Sequence, residues 1–229
     1  MKYVIGDIHG QLYKFIDLIN LTKSDATEYI FLGDYIDRGE HSKEVIDYLI
    51  KLSKKVKCIF LIGNHEDMWF KYLKGDKSWL DMILLYGGIE TVRSYIDKDL
   101  TYMAAKTIVI QAKKMENAFK IHKKFFGKLL YYYELDNYIC VHAGINPQYK
   151  DLVLPSHNQE DLLWIREEFI DSKFFYKGKK IIFGHTSFGK PYVDKYKIGI
   201  DTTMKTITAF CVEGKYFINN KGEKKWLEK

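Results

Sequence analysis

Asp, His and Asn side chains recur in five short polar clusters along the chain of 229 residues. In chain order the clusters lie at residues 6–10 (GDIHG), 33–39 (GDYIDRG), 63–66 (GNHE), 141–144 (VHAG) and 184–186 (GHT). They supply carboxylate, imidazole and amide ligands without a thiolate, a donor set that suits Mn, Fe, Zn or Co better than Ca²⁺ or a structural zinc site. The predicted metal ligands are Asp7, His9, Asp34, Asn64, His142 and His185.

This number of ligands exceeds what one catalytic ion needs, so the clusters indicate two divalent ions. In two-metal sites the ions lie roughly 3.5–4 Å apart and a carboxylate commonly bridges them; Asp34 is the candidate bridge. Such a pair polarises a phosphoryl group and lowers the pKa of bound water, which produces hydroxide for in-line attack on phosphorus. We expect Mn²⁺, with iron and zinc as alternatives.

Three of the polar residues that remain in these clusters are suited to proton transfer or phosphate binding. His65 directly follows Asn64, and its imidazole is suited to protonating a leaving oxygen. Asp37 can fix the tautomer of that imidazole, and the planar fork of Arg38 can hold two phosphate oxygens. We therefore predict catalytic roles for His65, Asp37 and Arg38.

The clusters follow short apolar runs that are typical of buried strands. These runs span residues 3–5, 29–32, 58–62, 138–141 and 181–183. Helix-period segments at 11–21 and 42–52 separate the first three runs, and this alternation predicts an α/β fold. Because ligands bind at the carboxyl ends of strands in open α/β sheets, we expect the five clusters to converge on one crevice.

The remaining chain divides into a helical and a β-rich part. Residues 66–128 have helical apolar spacing and predict an insertion or cap, whereas residues 191–217 predict antiparallel strands, with a second sheet there. We expect a single domain over residues 1–229. Only the lysine-rich end after Asn219 is expected to be disordered.

Composition narrows the class of protein. The start of the chain has no apolar stretch long enough for a signal peptide or membrane span, so a cytoplasmic protein without a membrane partner is expected. The net charge of +6 comes from lysines spread along the chain, which favours a solvated surface over a nucleic-acid platform. We expect Cys58, Cys140 and Cys211 to be reduced thiols in the core.

Several histidines and aromatic runs lie outside the clusters. His41, His122 and His157 have no motif around them and are expected to be surface or loop residues. The aromatic runs at residues 125–126 and 131–133 favour core packing over stacking on nucleobases.

The ordered motifs GDIHG, GDYIDRG, GNHE, HAG and GHT resemble those of the calcineurin-like metallophosphoesterases. Among these, the chain is most similar to the bacterial and phage serine/threonine phosphatases of the lambda type, over about residues 2–213. The resemblance implies a four-layer αββα sandwich, in which two mixed sheets pack face to face with helices outside. It also implies a helical insertion at about residues 66–128.

The same resemblance implies roles for individual residues. It places one ion on Asp7, His9 and Asp34, and a second ion on Asp34, Asn64, His142 and His185. His65 becomes the acid, Asp37 its partner and Arg38 a phosphate ligand. The segment LWIR at residues 163–166 resembles a tryptophan-x-arginine element, which makes Arg166 a second phosphate contact.

The sequence departs from this pattern at two places. Ile62 stands where lambda-type relatives often carry an arginine, and this is closer to the diadenosine tetraphosphatase branch. Residues 201–203 read DTT where relatives often have DTG, which can alter a turn, and Asp201 is assigned at most a supporting role behind the ligands.

Three functions therefore stay open. The first is a serine/threonine protein phosphatase that acts on phosphorylated proteins and small phosphoesters. The second is a bis(5′-nucleosyl)-tetraphosphatase, or a phosphatase or phosphodiesterase acting on nucleic acid. The third is a metal-binding module without catalysis, which the presence of His65, Asp37 and Arg38 disfavours.

Overall fold

The computed structural model describes residues 1–150, 153, 154, 158–203 and 205–227, so His157 lies outside the described residues. Its strands are β1 Lys2–Ile5, β2 Glu28–Phe31, β3 Lys57–Phe60, β4 Tyr132–Glu134, β5 Tyr138–Val141, β6 Lys180–Phe183, β7 Tyr192–Val193, β8 Lys197–Gly199, β9 Thr208–Cys211, β10 Tyr216–Asn219 and β11 Lys224–Trp226. Its helices are α1 Leu12–Thr22, α2 Ser42–Leu52, α3 Asn64–Leu73, α4 Leu80–Leu85, α5 Gly88–Tyr95, α6 Tyr102–Gln111, α7 Lys113–Phe119, α8 Lys123–Phe126, α9 Gln159–Trp164 and α10 Glu167–Ile170.

The strands form two mixed sheets. The first has the order β11-β10-β9-β1-β2-β3, and the second has the order β4-β5-β6-β8-β7. Strands β1, β2 and β3 run parallel, as do β5, β6 and β8. The five strands predicted to precede polar clusters are all present, but they divide between the two sheets.

The β-rich chain from residue 191 divides between the two sheets, because β7 and β8 join the second sheet whereas the last three strands do not. β9 instead pairs antiparallel with the open edge of β1, with Ile5 opposite Ala209, and β10 and β11 extend the first sheet from there. The chain after Asn219, expected to be disordered, forms β11 through backbone pairing of Ile218 with Lys224. Apolar patterning does not reveal such pairing, because β11 is exposed.

Alternating side chains divide the core into layers. Val4 and Ile30 of the first sheet face Cys140 and Ile182 of the second, which makes a layer between the sheets. The opposite face of the first sheet packs on α1, α2 and the helices between β3 and β4. The opposite face of the second sheet packs on residues of α9 and α10, such as Phe169. The expected four-layer αββα sandwich is therefore confirmed.

Helices α3 to α8 occupy most of the chain between β3 and β4. Trp69, Val92 and Phe119 from these helices are buried in the same core as α1 and α2. Phe125 is buried there too, in keeping with its predicted packing role. The three cysteines are free thiols, with Cys140 and Cys211 buried and Cys58 half-buried. Within the described residues, no helix has the length and apolarity to cross a membrane.

His122 was expected at the surface, but its side chain is buried. The Tyr95 hydroxyl lies 2.7 Å from Nδ1, and an Asp47 carboxylate oxygen lies 3.0 Å from Nε2. A neutral imidazole satisfies both contacts, because the hydroxyl donates to Nδ1 and the Nε2 N–H donates to the carboxylate. Burial lowers the pKa of His122, although Asp47 opposes the shift.

We expect this lowered pKa to make the fold less stable in acid. An unfolded histidine takes up a proton near pH 6.5 whereas buried His122 resists it, so the free energy of unfolding falls as pH drops from about 7 to about 5. The His122→Gln variant lacks this contribution, so acid should destabilise it less than wild type. Urea unfolding of both proteins at several pH values measures the difference, and parallel curves would contradict the assignment.

Candidate metal centre

The five polar clusters meet where strands of both sheets end. Asp7, Asp34 and Asn64 follow β1, β2 and β3, and His142 and His185 follow β5 and β6. Because the parallel strands of each sheet end at one edge, the ends of both sheets line a single crevice. The six predicted ligand residues are all buried.

Asp34 lies at the centre of these residues. One of its carboxylate oxygens is 3.5 Å from Nε2 of His9, and the other is 3.5 Å from Nε2 of His142. Two groups of buried side chains have ligand atoms within 4.8 Å of one another: His9, Asp34 and His65, and Asp34, His142 and His185. Asp34 belongs to both groups, which is the geometry needed for a bridging carboxylate.

Asn64 and Asp7 complete the surroundings of these two groups. The Asn64 side-chain oxygen lies 3.0 Å from Nε2 of His142 and 2.9 Å from Nδ1 of His185. An Asp7 oxygen lies 3.9 Å from Nε2 of His9. The Asn64 oxygen therefore lies close to both histidines of the second group. Asp7 approaches His9 but is not a member of the first group, in which the third residue is His65.

The histidines are oriented to coordinate ions. The Nδ1 atoms of His9 and His142 lie 3.1 Å and 2.8 Å from the backbone oxygens of Ile36 and Leu32, to which they can donate. This tautomer leaves each Nε2 lone pair facing the centre. Nε2 of His9 and Nε2 of His185 are buried without a hydrogen-bond partner in the described chain. A divalent cation would satisfy Nε2 of His9, and His185 presents its Nδ1 towards the Asn64 oxygen, so the residues present fit the implied metals.

The charges of the site also favour cations. Burial raises the pKa of Asp7 and of Asp34 well above the usual range, and neighbouring carboxylates, among them Asp201 and Glu66, add to the shift. Concentrating carboxylates in a buried space is unfavourable unless positive charge compensates them. Asp201 also accepts from the backbone N–H of Thr203 at 2.9 Å, so the altered turn at residues 201–203 is closed by its own carboxylate.

The backbone of the site adopts unusual conformations. Positive φ angles occur at five non-glycine residues that carry site side chains: His9, Asp34, Asp37, Arg38 and His185. Such residues are uncommon and cluster at functional sites, where the turn aims a side chain. Glycine allows the carboxylates to lie against the backbone, because a Cβ on Gly63 would overlap Asp34 and one on Gly184 would overlap Asp7.

His65 and Asp37 form a hydrogen-bonded pair beside the predicted metal ligands. Nδ1 of His65 lies 2.7 Å from an Asp37 carboxylate oxygen, and Nη2 of Arg38 lies 3.2 Å from Nε2 of His65. Since arginine can only donate, Nε2 carries no proton here and the Nδ1 N–H donates to Asp37. Burial and the Arg38 charge lower the pKa of His65 well below its usual value.

Asp37 is held by two residues whose roles were not predicted from the sequence. The Trp69 indole N–H donates to its other carboxylate oxygen at 2.9 Å, and the Thr91 hydroxyl donates to the same oxygen at 2.5 Å. Burial raises the pKa of Asp37 to about 7, and both hydrogen bonds oppose this shift. Thr91 lies 54 residues from Asp37 in the chain, and nothing in its local sequence indicates the contact.

Glu66 is a second supporting residue without a predicted role. Its carboxylate accepts from the backbone N–H groups of Asp34, Tyr35 and Gly63 at 2.9–3.0 Å. It thereby ties the loop that carries Asp34 to the loop that carries Asn64. Its place in the GNHE cluster was the available signal, because a glutamate at the third position of a helix commonly caps backbone donors.

The structure places Arg166 beside His185 and buries Ile62. Nη1 of Arg166 donates to the backbone oxygen of His185 at 3.1 Å and to the Thr186 hydroxyl at 3.2 Å. Arg166 and Trp164 line a cleft of about 700 Å³ beside the second ligand group. Ile62 is buried, and its backbone N–H donates to the backbone oxygen of Leu130. Because its side chain is apolar, this position supplies no positive charge to the cleft.

Curated relatives of the chain are protein phosphatases. Over 112 residues it is 34% identical to one of the catalytic subunits of protein phosphatase 2A from Dictyostelium discoideum, a match covering 48% of this chain and 35% of the relative. Over 175 residues it is 30% identical to serine/threonine-protein phosphatase 2B catalytic subunit A2 of Saccharomyces cerevisiae, covering 70% of this chain and 24% of the relative. The chain thus spans about a third or less of the length of these relatives.

Solved structures with this fold are more distant in sequence. A protein assigned as a diadenosine tetraphosphatase has a TM-score of 0.61 at 17% identity, over 99% of this chain and 94% of that one. A cold-active protein-tyrosine phosphatase of Shewanella has a TM-score of 0.64 at 13% identity, over 99% and 80%. The family model of the calcineurin-like phosphoesterases matches residues 3–213. With the sandwich fold and the ordered clusters at its centre, the chain belongs to the calcineurin-like phosphoesterase family.

Proposed function

We propose that the protein hydrolyses phosphoesters with two divalent ions and acts on phosphoserine or phosphothreonine in proteins. The observation that carries the proposal is the hydrogen-bonded His65–Asp37 pair beside Asp34, which belongs to both ligand groups. This arrangement combines a cation site, a proton donor and phosphate ligands in one crevice.

The proposed ligands are divided between the two ions. Asp34 would hold both ions, Asp7 and His9 would help to hold one, and Asn64, His142 and His185 would help to hold the other. When bound, the ions would polarise the phosphoryl group and lower the pKa of water towards neutrality. Manganese is the proposed metal, with iron or zinc as alternatives, because nitrogen and oxygen donors suit all three.

Arg38 and Arg166 are the residues proposed to bind the substrate phosphate. Arg38 is exposed beside the first group, and Arg166 lies beside His185 of the second. Two planar guanidinium groups, one beside each ligand group, can bind several phosphate oxygens and orient the leaving group towards His65.

His65 is the proposed acid for the leaving oxygen. Its Nε2 must first take up a proton, and the hydrogen bond from Arg38 opposes this. A bound phosphate that draws Arg38 to its own oxygens frees Nε2 and offsets the arginine charge, which raises the pKa of the imidazole. Asp37 stabilises the resulting imidazolium through Nδ1.

Two other functions define the alternatives. The names of the curated relatives favour a protein substrate. Buried Ile62 favours a dinucleoside tetraphosphatase, since the arginine common in protein phosphatases is missing there. The intact geometry of His65, Asp37 and Arg38 disfavours a module that binds metal without catalysis.

A substrate panel on metal-stripped protein tests the proposal. The protein is reloaded with Mn, Fe, Zn, Ni or Mg and assayed on nitrophenyl phosphate, a phosphothreonine peptide, diadenosine tetraphosphate and a 3′-phosphorylated oligonucleotide. We expect metal-restored hydrolysis of the peptide, and a loss of about 100-fold in kcat for His65→Asn.

Each other outcome selects an alternative. Preference for diadenosine tetraphosphate or the oligonucleotide would replace the protein substrate by a nucleotide. A His65→Asn variant with wild-type turnover would remove His65 as the acid. Absence of hydrolysis of every substrate with every metal would support the non-catalytic module.

The role of Asp37 can be tested through Thr91. In Thr91→Val the carboxylate loses a donor, and since that hydrogen bond lowers the pKa of Asp37, its pKa should rise. We expect kcat on nitrophenyl phosphate to fall about tenfold and the acid limb of its pH profile to move to higher pH. Thr91→Ser keeps the hydroxyl and is the matched control. A valine variant with the wild-type profile would show that the contact does not support catalysis.

A further inference from the structure

The cleft beside Arg166 has an aromatic wall built from two distant parts of the chain. Trp79, between α3 and α4, stacks on Trp164 at the end of α9, with ring centroids 5.7 Å apart and planes inclined by 29°. The Trp164 ring lies 6.0 Å from the ring of His185. The wall therefore begins beside His185 of the second ligand group and extends away from it. The part of a substrate next to its phosphate would lie along this wall.

The charge of this cleft is opposite to that of the chain. Its described lining residues include the carboxylates of Glu160, Asp161, Glu167 and Glu168, with Arg166 as the basic side chain among them. The whole chain has a net charge of +6. A concentration of negative charge at one entrance selects substrates that carry positive charge beside the phosphate.

The carboxylates of Glu167 and Glu168 are available to bind a ligand. Glu160 is paired with Lys71 at 3.0 Å, and Asp161 accepts from the Asn146 amide at 3.0 Å. Glu167 and Glu168 are exposed, and neither forms an ion pair within the part of the chain described. They are therefore the groups that a substrate cation would contact.

The wall already binds one cation. Nζ of Lys71, the partner of Glu160, lies 4.9 Å from the centroid of Trp79. The Lys71 ammonium also pairs with Asp67 at 2.9 Å, so one indole and two carboxylates hold it, by cation–π attraction and ion pairing.

We propose that this cleft binds an arginine or lysine side chain close to the phosphorylated residue of a peptide substrate. The apolar stem of such a side chain packs on the indole wall while its charged end meets Glu167 and Glu168. A dinucleoside polyphosphate brings further negative charge to the same carboxylates and is disfavoured. The inference rests on the proposed phosphatase function and assigns its substrate class.

Paired phosphothreonine peptides test the subsite on the metal-loaded protein. A series carries arginine at one position from −3 to +3, and a matched series carries alanine there. We expect arginine at one or more of these positions to raise kcat/KM about tenfold, mainly through a lower KM, and high salt to reduce this preference.

Three double variants locate the preference. Glu167→Gln with Glu168→Gln should bring the arginine peptide to the KM of the alanine peptide, and Glu167→Asp with Glu168→Asp should retain part of the difference. Asp17→Asn with Asp99→Asn removes the same charge from exposed positions outside the cleft and should keep the full preference.

The possible outcomes distinguish failure of the proposed subsite from failure of the proposed phosphatase function. Equal kcat/KM for all arginine and alanine peptides would overturn the subsite and leave the phosphatase function standing. An undiminished preference in the glutamine variant would place cation recognition elsewhere. Hydrolysis of nitrophenyl phosphate or diadenosine tetraphosphate without any peptide would overturn the protein substrate, and the subsite with it.

Discussion

The burial of the Asp34 carboxylate is the constraint on which the rest of the site depends. An ionised carboxylate in a closed space needs hydrogen-bond donors and opposite charge. The backbone N–H of His65 donates to it at 3.1 Å, and His9 and His142 approach it from the two sheets. Positive charge at this point would stabilise the folded chain as well as create the reactive centre, since ions that bind only the folded state favour it.

The same constraint explains why two sheets are required. The ring of His142, from the second sheet, contacts the Leu32 backbone oxygen at the end of β2 in the first sheet, and the backbone N–H of His185 donates to Asp7. These polar contacts join the sheets at the site, while the layer around Val4 and Ile182 joins them elsewhere. The predicted ligands follow strand ends, and such rigid positions suit a centre that must hold its geometry.

The proposed proton transfer by His65 depends on helices that supply no predicted metal ligand beyond Asn64 at the start of α3. Trp69 of α3 and Thr91 of α5 hold Asp37, and Asp37 in turn orients His65. Trp79, from the same helical segment, forms one wall of the cleft that adjoins the ligands. The segment between β3 and β4 therefore orients the proposed acid, His65, and also shapes the cleft beside the predicted ligands.

The sequence by itself determined the chemistry of the centre and the class of the fold. Asp7, Asp34, Asn64, His142 and His185 follow predicted strands, and this local arrangement suffices because parallel strand ends share an edge. Long-range pairing was decided only in the tertiary structure, which put β9 beside β1, made a strand of the chain end, buried His122 and brought Thr91 to Asp37. Such contacts join residues far apart in the chain, and the residue types at either end carry no local pattern that specifies the partner.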